Sequence, residues 1–309
     1  MTDLKLFRVS DGLARELPSS SVALERSLQQ VIERNMEVMF GVRLLASEYS
    51  TGVKHGGRMD SLGIDENYSP VIFEYKRAIN ENVINQGLFY LDWLMDHRGD
   101  FTMLVLQKLG EEAANSIDWR NPRLICVASG FTKYDEHAVQ QMNRSIELVR
   151  YRDFEGDLLA LELMTGTGVD PITAEGAPAT PSSRGMSAPS YAKTTSELLD
   201  QADSELKDLY HAVEDFCLAL GDDVTKRTLK YYFAFRRLKN FACVEVHPQT
   251  RNLLVYLKIN PDTVELEDGF TRDVRAIGHF GTGDLELRIH SASDFEKARS
   301  LIQRSYEDS

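Results

Sequence analysis

Three residues in this chain have types and spacing suited to chemistry: Asp60, Glu74 and Lys76. The last two sit in "PVIFEYKR", an apolar run that continues straight into charge. Alternate residues of a strand face the same side. Glu74 and Lys76 therefore share a face with Ile72, while Val71, Phe73 and Tyr75 share the other. One face is expected to pack on the core, and the opposite face to end in a carboxylate beside an ammonium. The connection "DENYSP" has turn chemistry, so an antiparallel hairpin would set Asp60 opposite Glu74. Two converging carboxylates are hard oxygen ligands suited to Mg²⁺ or Mn²⁺. A lysine beside them can orient or deprotonate a water. Together they are equipment for hydrolysing a phosphodiester. The same triplet also suits a solvated strand end carrying a surface ion pair, which stabilises little.

These residues need elements to hold them. A helix is expected over about 22–39, with Leu24, Leu28, Ile32 (or Val31) and Met36 at helical spacing, a serine among Ser19 to Ser21 as cap and Gly41 at its end. "VRLLASEYS", "GRMDSLGID" and "PVIFEYKR" read as three strands, and "LKLFRV" before them as an edge strand. A helix over about 81–96 follows, carrying Gln86 and Tyr90 on one face. "RLICVASG" reads as a buried strand, "DEHAVQQMNR" as a helix, and "IELVRYRDF" and "LLALELM" as strands. The order predicts an α/β unit with a mixed sheet flanked by helices over 1–164. A stretch rich in Gly, Pro, Ser, Thr and Ala over 165–195 predicts a flexible linker. Beyond it, 196–309 reads as an α+β domain. It opens with one long helix, "TSELLDQADSELKDLYHAVEDFCLALG", and continues with "YYFAFRRL", "FACVEVHP", "NLLVYLKI", "VRAIGHFG" and "DLELRIHS" as strands. A closing helix capped by Ser293 or Asp294 completes it.

Asp60, a turn, Glu74-x-Lys76 and then Gln86-x-x-x-Tyr90 resemble the PD-(D/E)XK nuclease superfamily, whose core runs α-β-β-β-α-β. Met59 stands where the family name has proline, a position that varies widely there. The Gln-x-x-x-Tyr pattern looks like the RecB-type branch. "ALERSLQQVIERN", "GRMDSLGID", "VIFEYKR" and "VINQGLFYLDWL", covering most of 20–95, look like a bacterial family of uncharacterised nuclease-like proteins. Some of its members are labelled predicted transport proteins, and they share this module with mismatch-cleaving endonucleases of archaea and actinobacteria. The resemblance implies a restriction-endonuclease-like sheet with Mg²⁺ (or Mn²⁺) held by Asp60, Glu74 and the Tyr75 carbonyl, and Lys76 assisting the water. It also implies a glutamate on the first helix that completes the metal site. By position this is Glu25, with Glu33 and Glu37 as further options. Gln86 and Tyr90 would be accessory. Nucleic acid, DNA ahead of RNA, would be the substrate, and a homodimer cutting duplexes fits the class. The C-terminal unit resembles a domain of unknown function that accompanies such modules. Each residue has a plainer reading too. Glu25 suits an exposed helix carboxylate, and Gln86 and Tyr90 suit helix packing. A nuclease fold kept for binding or regulation alone is the rival function.

Charge and composition narrow the field. The chain has 309 residues, 42% hydrophobic and 27% charged, with a formal net charge of −13. That is a soluble globular balance, and the acidic sum weighs against phosphate binding over the whole surface. The run Lys226 to Lys239 is the exception, with Lys226, Arg227, Lys230, Arg236, Arg237 and Lys239 interleaved with aromatics. It suits nucleic-acid binding, or a strand with an aromatic core face and a solvated basic one. His55 could approach the Asp60 strand. Cys126, Cys217 and Cys243 fit no zinc spacing and no disulfide framework. With no apolar run of membrane length and no secretory pattern in "MTDLKLFRVSDG", reduced thiols in a cytoplasmic protein are expected.

Overall fold

Asp65 closes the hairpin at the centre of the N-terminal unit. Its carboxylate accepts the Asn67 and Ser69 N–H groups at 2.9 and 2.8 Å, and Tyr68 takes the left-handed conformation the turn requires. This computed structural model describes residues 4–20, 25–76, 83–166 and 193–309. The chain divides into two compact units, Met1–Thr167 and Gly168–Ser309. The linker expected over 165–195 falls, for 167–192, outside the described residues.

In chain order the first unit runs β1 (Leu6–Ser10), β2 (Leu13–Leu17), β3 (Ser19–Ser20), α1 (Glu25–Phe40), β4 (Val42–Ser50), α2 (Gly52–His55), β5 (Arg58–Asp65) and β6 (Pro70–Lys76). Then come α3 (Val83–Asp96), α4 (Arg98–Leu109), α5 (Glu111–Asn115), β7 (Arg123–Ala128), α6 (Lys133–Gln140), β8 (Ser145–Phe154) and β9 (Leu158–Gly166). The seven-stranded sheet has the order β3-β8-β7-β6-β5-β4, with β9 on β8. β4, β5 and β6 pair antiparallel, and β6, β7 and β8 pair parallel. The sheet is mixed and flanked by helices, as expected. "LKLFRV" forms a separate hairpin with β2 across Asp11-Gly12, both at positive φ. This is the hairpin turn such a pair favours.

β6 corrects one expectation. Parallel pairing to β7 makes it an interior strand, and both its faces are buried. Ile72 joins Leu62, Ile64, Leu124 and Cys126 beneath α3. Phe73 and Tyr75 line the other face, where the Phe40 ring of α1 meets Phe73 edge-on at 5.1 Å. α3 comes very close to the sheet at Gly87, where an added Cβ would lie 2.4 Å from a Leu124 methyl. A larger residue there would force Leu124 to shift.

The second unit runs α7 (Thr195–Gln201), α8 (Ser204–Ala219), β10 (Thr225–Thr228), β11 (Phe233–Arg236), β12 (Asn240–His247), β13 (Asn252–Leu257), β14 (Thr271–Asp273), β15 (Leu285–Ile289) and α9 (Ala292–Glu307). Its six strands are antiparallel in the order β10-β11-β12-β13-β15-β14. Val213, Val244, Val255, Leu287 and Ile302 belong to the core between α8, α9 and one face of this sheet. The single long helix is two. Ala202 is extended and the Asp203 carboxylate caps α8 by accepting the Leu206 N–H at 2.9 Å. "VRAIGHFG" is turn and loop after β14 rather than a strand. Ser291, not Ser293 or Asp294, is the N-cap residue of α9.

Candidate active site

The β5–β6 ladder runs from Ile64↔Pro70 to Ser61↔Phe73, one step short of Asp60 and Glu74. At that step side chains take over from the ladder. The Asp60 N–H donates to Glu74 Oε1 at 3.3 Å, and the Tyr75 N–H donates to Asp60 Oδ2 at 2.9 Å. These crossed bonds bring the two carboxylates together where the strands part. Lys76 follows on the same face as Glu74, half-buried at the strand end. A residue of an antiparallel strand presents N–H and C=O to the same neighbour, so the Tyr75 carbonyl faces this gap as well.

Glu74 is 0% exposed, which excludes a solvated strand-end ion pair. A carboxylate taken out of water needs compensation, and the Asp60 N–H is one source. Burial, then the Glu74 charge, pushes the thiol of Cys126, its partner in register on β7, well above the ordinary range. On the opposite face burial pushes the Tyr75 phenol up, and the charges of Glu33, Asp60 and Glu74 push it further.

The sequence-derived candidates fall into distinct places. Gln86 donates to the Tyr90 hydroxyl at 3.3 Å, and that hydroxyl accepts the Arg58 N–H at 3.1 Å. The pair thus fastens α3 to the start of β5, two residues before Asp60. The His55 ring lies against Phe89 and His97. Glu33 accepts from Ser61 Oγ at 2.7 Å and Gln29 Nε2 at 3.0 Å, and Glu37 is exposed. Glu25 opens α1, and its side chain lies outside the described residues. Its backbone position still says something. Down α1, Phe40 meets Phe73, Glu33 meets Ser61 and Gln29 meets Asp60. Glu25 lies one helical turn before Gln29, the residue that meets Asp60.

Among the described residues no three of His, Cys, Asp and Glu are grouped to hold a metal ion. Two carboxylates and a carbonyl nevertheless fit one ion type. Mg²⁺ is held by one or two carboxylates and keeps several waters or substrate oxygens. The donor set is all hard oxygen, and it suits Mg²⁺ or Mn²⁺ rather than zinc or copper.

Sequence reading missed two features. Gln29 reaches the Asp60 carbonyl at 2.9 Å. The available signal was its i+4 spacing from Glu25 and to Glu33. At the far end of the sheet, Arg123 is buried between Asp65 (2.9 Å) and Glu147 (2.8 and 2.9 Å).

Two of the six cations of Lys226 to Lys239 turn inward. Arg227 and Arg236 are buried, and Arg236 donates to the Leu238 carbonyl at 2.6 Å. Lys226 is ion-paired with Glu214, and Arg237 with Asp223 at 2.6 Å. Lys230 is exposed above the Tyr231 ring, and Lys239 is half-buried. No helix among the described residues is long and apolar enough to cross a membrane.

Comparison with known proteins gives three kinds of match. Residues 194–309 match the model of a domain of unknown function, DUF5655. Over 308 residues, 99% of this chain and 100% of the other, the chain is 27% identical to an uncharacterized protein of Haemophilus influenzae. Among solved structures it is similar to a repair endonuclease from Pyrococcus abyssi, at 19% identity and a TM-score of 0.29, covering 41% of this chain and 47% of that one. It is also similar to an EndoMS in complex with double-stranded DNA, at 21% identity and a TM-score of 0.26, covering 42% and 47%. The chain thus spans less than half the length of these two structures.

Proposed function

We propose that the N-terminal unit is a Mg²⁺-dependent nuclease of the PD-(D/E)XK type, hydrolysing phosphodiester bonds in nucleic acid. The observation that carries this reading is the crossed pair of bonds, Asp60 N–H to Glu74 and Tyr75 N–H to Asp60. It holds two carboxylates together at a strand end, beside a lysine on the same face. Asp60 and Glu74 would hold the metal with the Tyr75 carbonyl, and the family resemblance adds Glu25 to the set. Bound there, the ion supplies Lewis-acid stabilisation of the phosphoryl oxygens and a lowered water pKa. Lys76 orients the attacking water and moves its proton. The burial of Glu74 and Tyr75 fixes the rotamers of these groups and keeps bulk water from the rear of the site. Gln86 and Tyr90 set the approach of β5. The resemblance of the segments over 20–95 to mismatch-cleaving endonucleases sets DNA ahead of RNA.

The test is a cleavage panel of single- and double-stranded DNA and RNA with Mg²⁺, Mn²⁺ or EDTA. Cleavage is expected with either metal and not with EDTA. Glu74→Gln keeps an acceptor for the Asp60 N–H but removes the charge. Lys76→Met keeps the stem and removes the amine. Each is expected to lower the rate by about 100-fold or more. Undiminished cleavage in both variants would sink the proposal. Binding without cleavage by the parent would support the rival, a nuclease fold kept for binding alone.

A further inference from the structure

On the α1 side of the sheet, behind the carboxylates, five residues close a ring of hydrogen bonds. Gln29 Nε2 donates to the Asp60 carbonyl at 2.9 Å. Asp60 Oδ2 accepts the Tyr75 N–H at 2.9 Å. The Tyr75 hydroxyl lies 3.2 Å from Ser61 Oγ, which lies 2.7 Å from Glu33 Oε1. Glu33 Oε1 also accepts from Gln29 Nε2 at 3.0 Å, completing the circuit. Proton counting gives the ring a direction. Ser61 has one hydroxyl proton and an ionised carboxylate can only accept. Ser61 therefore donates to Glu33, and Tyr75 donates to Ser61. The Gln29 amide nitrogen also lies 3.4 Å from Ser47 Oγ, and its shorter bonds go to Glu33 and Asp60. Ser61 and Tyr75 are fully buried and Gln29 nearly so.

We propose that Gln29 is a positioning residue for the metal site, oriented by Glu33. This inference rests on the metal-dependent reading above and adds the device that sets its geometry. The need for one comes from the ladder. Its β5–β6 rungs end at Ser61↔Phe73. On the other side, the β4–β5 register is kept from Ser47↔Ser61 to Tyr49↔Met59, with Glu48 between them at φ 50°. Asp60 therefore lies just past the last β5–β6 rung. Gln29 grips the Asp60 carbonyl from α1 while Tyr75 grips its carboxylate from β6, so the ring sets where that carboxylate points. Glu33, an alternative metal ligand on sequence grounds, serves here as the group that aims the Gln29 amide.

Gln29→Met tests this in the full chain, because it keeps length and apolar packing and removes the amide. Mn²⁺ binding is measured by calorimetry, with the thermal midpoint and the metal dependence of cleavage recorded alongside. A rise of about tenfold in the Mn²⁺ dissociation constant is expected, the scale on which groups orienting metal ligands act. The metal concentration for half-maximal cleavage should rise in step, with a much smaller change in rate at saturating metal. Glu33→Gln retains an oxygen acceptor for Ser61 and Gln29 and should lose less Mn²⁺ affinity than Gln29→Met. Parental Mn²⁺ affinity in Gln29→Met would overturn the proposal. Should that variant not fold, Glu33→Met opens the same ring one link on and is read the same way. Unfolding of both would overturn positioning in favour of a purely structural role. A parent that binds no Mn²⁺ and cleaves nothing fails the metal-dependent reading itself, and the inference with it. That outcome is distinguishable because it appears before any substitution is made.

Discussion

Glu74 shows how burial decides between two meanings of one residue. In sequence, Glu-Tyr-Lys at a strand end suits a surface ion pair as well as a ligand. With Glu74 out of water and bonded to the Asp60 N–H, the surface reading fails. Asp60, Glu74 and Lys76 were legible because strand alternation alone puts the last two on one face and a short turn brings the first across. Gln29 was not legible. A glutamine on an amphipathic helix looks solvated until the carbonyl it meets, thirty-one residues on, is in place. Tyr90 stands between these cases. Its spacing from Gln86 was visible, but its partner, the Arg58 N–H, was not. Tyr90→Phe removes that acceptor while keeping the ring. A loss of about 1 kcal/mol is expected, read as a lower urea midpoint, with Mn²⁺ affinity close to that of the parent. An unchanged midpoint would show that this bond does not fasten β5.

At the scale of elements, hydrophobic pattern located the strands of the N-terminal unit, but pairing decided their environment. β6 was expected to have one apolar face, yet as an interior strand, with α1 against one face and α3 against the other, it is buried on both. Helical periodicity ran unbroken from Thr195 to Gly221, and it could not reveal that Asp203 caps a new helix rather than decorating a continuing one. Arg123 was hidden because its partners come from different strands. Asp65 ends β5 and Glu147 lies on β8, so a buried cation on β7 ties together the end of the sheet opposite the candidate site. Such a triad adds little compared with a well-packed apolar trio, but breaking it strands charges in the core. Arg123→Met leaves two buried carboxylates without their cation. A cost of about 3–5 kcal/mol is expected from urea unfolding. A cost near that of an ordinary surface substitution would mean water enters this end of the sheet.

At the scale of the whole molecule, the formal charge of −13 reads differently once residues are placed. The one basic run spends much of its charge on Glu214, Asp223 and its own backbone. The acidic sum includes the carboxylates proposed to hold a cation. What composition did not expose is a shared sensitivity to alkali. Each unit buries neutral acids. Burial and then the Glu74 charge raise the Cys126 thiol, burial and Glu214 raise the Cys217 thiol, and burial raises the phenols of Tyr75 and Tyr256. A group whose folded pKa lies above its unfolded one prefers its protonated form when folded. Its contribution to stability is complete below the unfolded pKa and is lost as pH rises toward the folded value. For thiols the loss starts near pH 8.5 and for phenols near pH 10. The urea midpoint of the full chain, followed by circular dichroism, should be level between about pH 7 and 8 and then fall in two stages. Cys126→Ala combined with Cys217→Ala should lower the midpoint at pH 7, since buried sulfur is removed, yet erase the first stage. The decline would then begin only near pH 10. A double variant that loses as much as the parent between pH 8 and 9.5 would show that these thiols do not govern it, and that other groups carry the alkaline response.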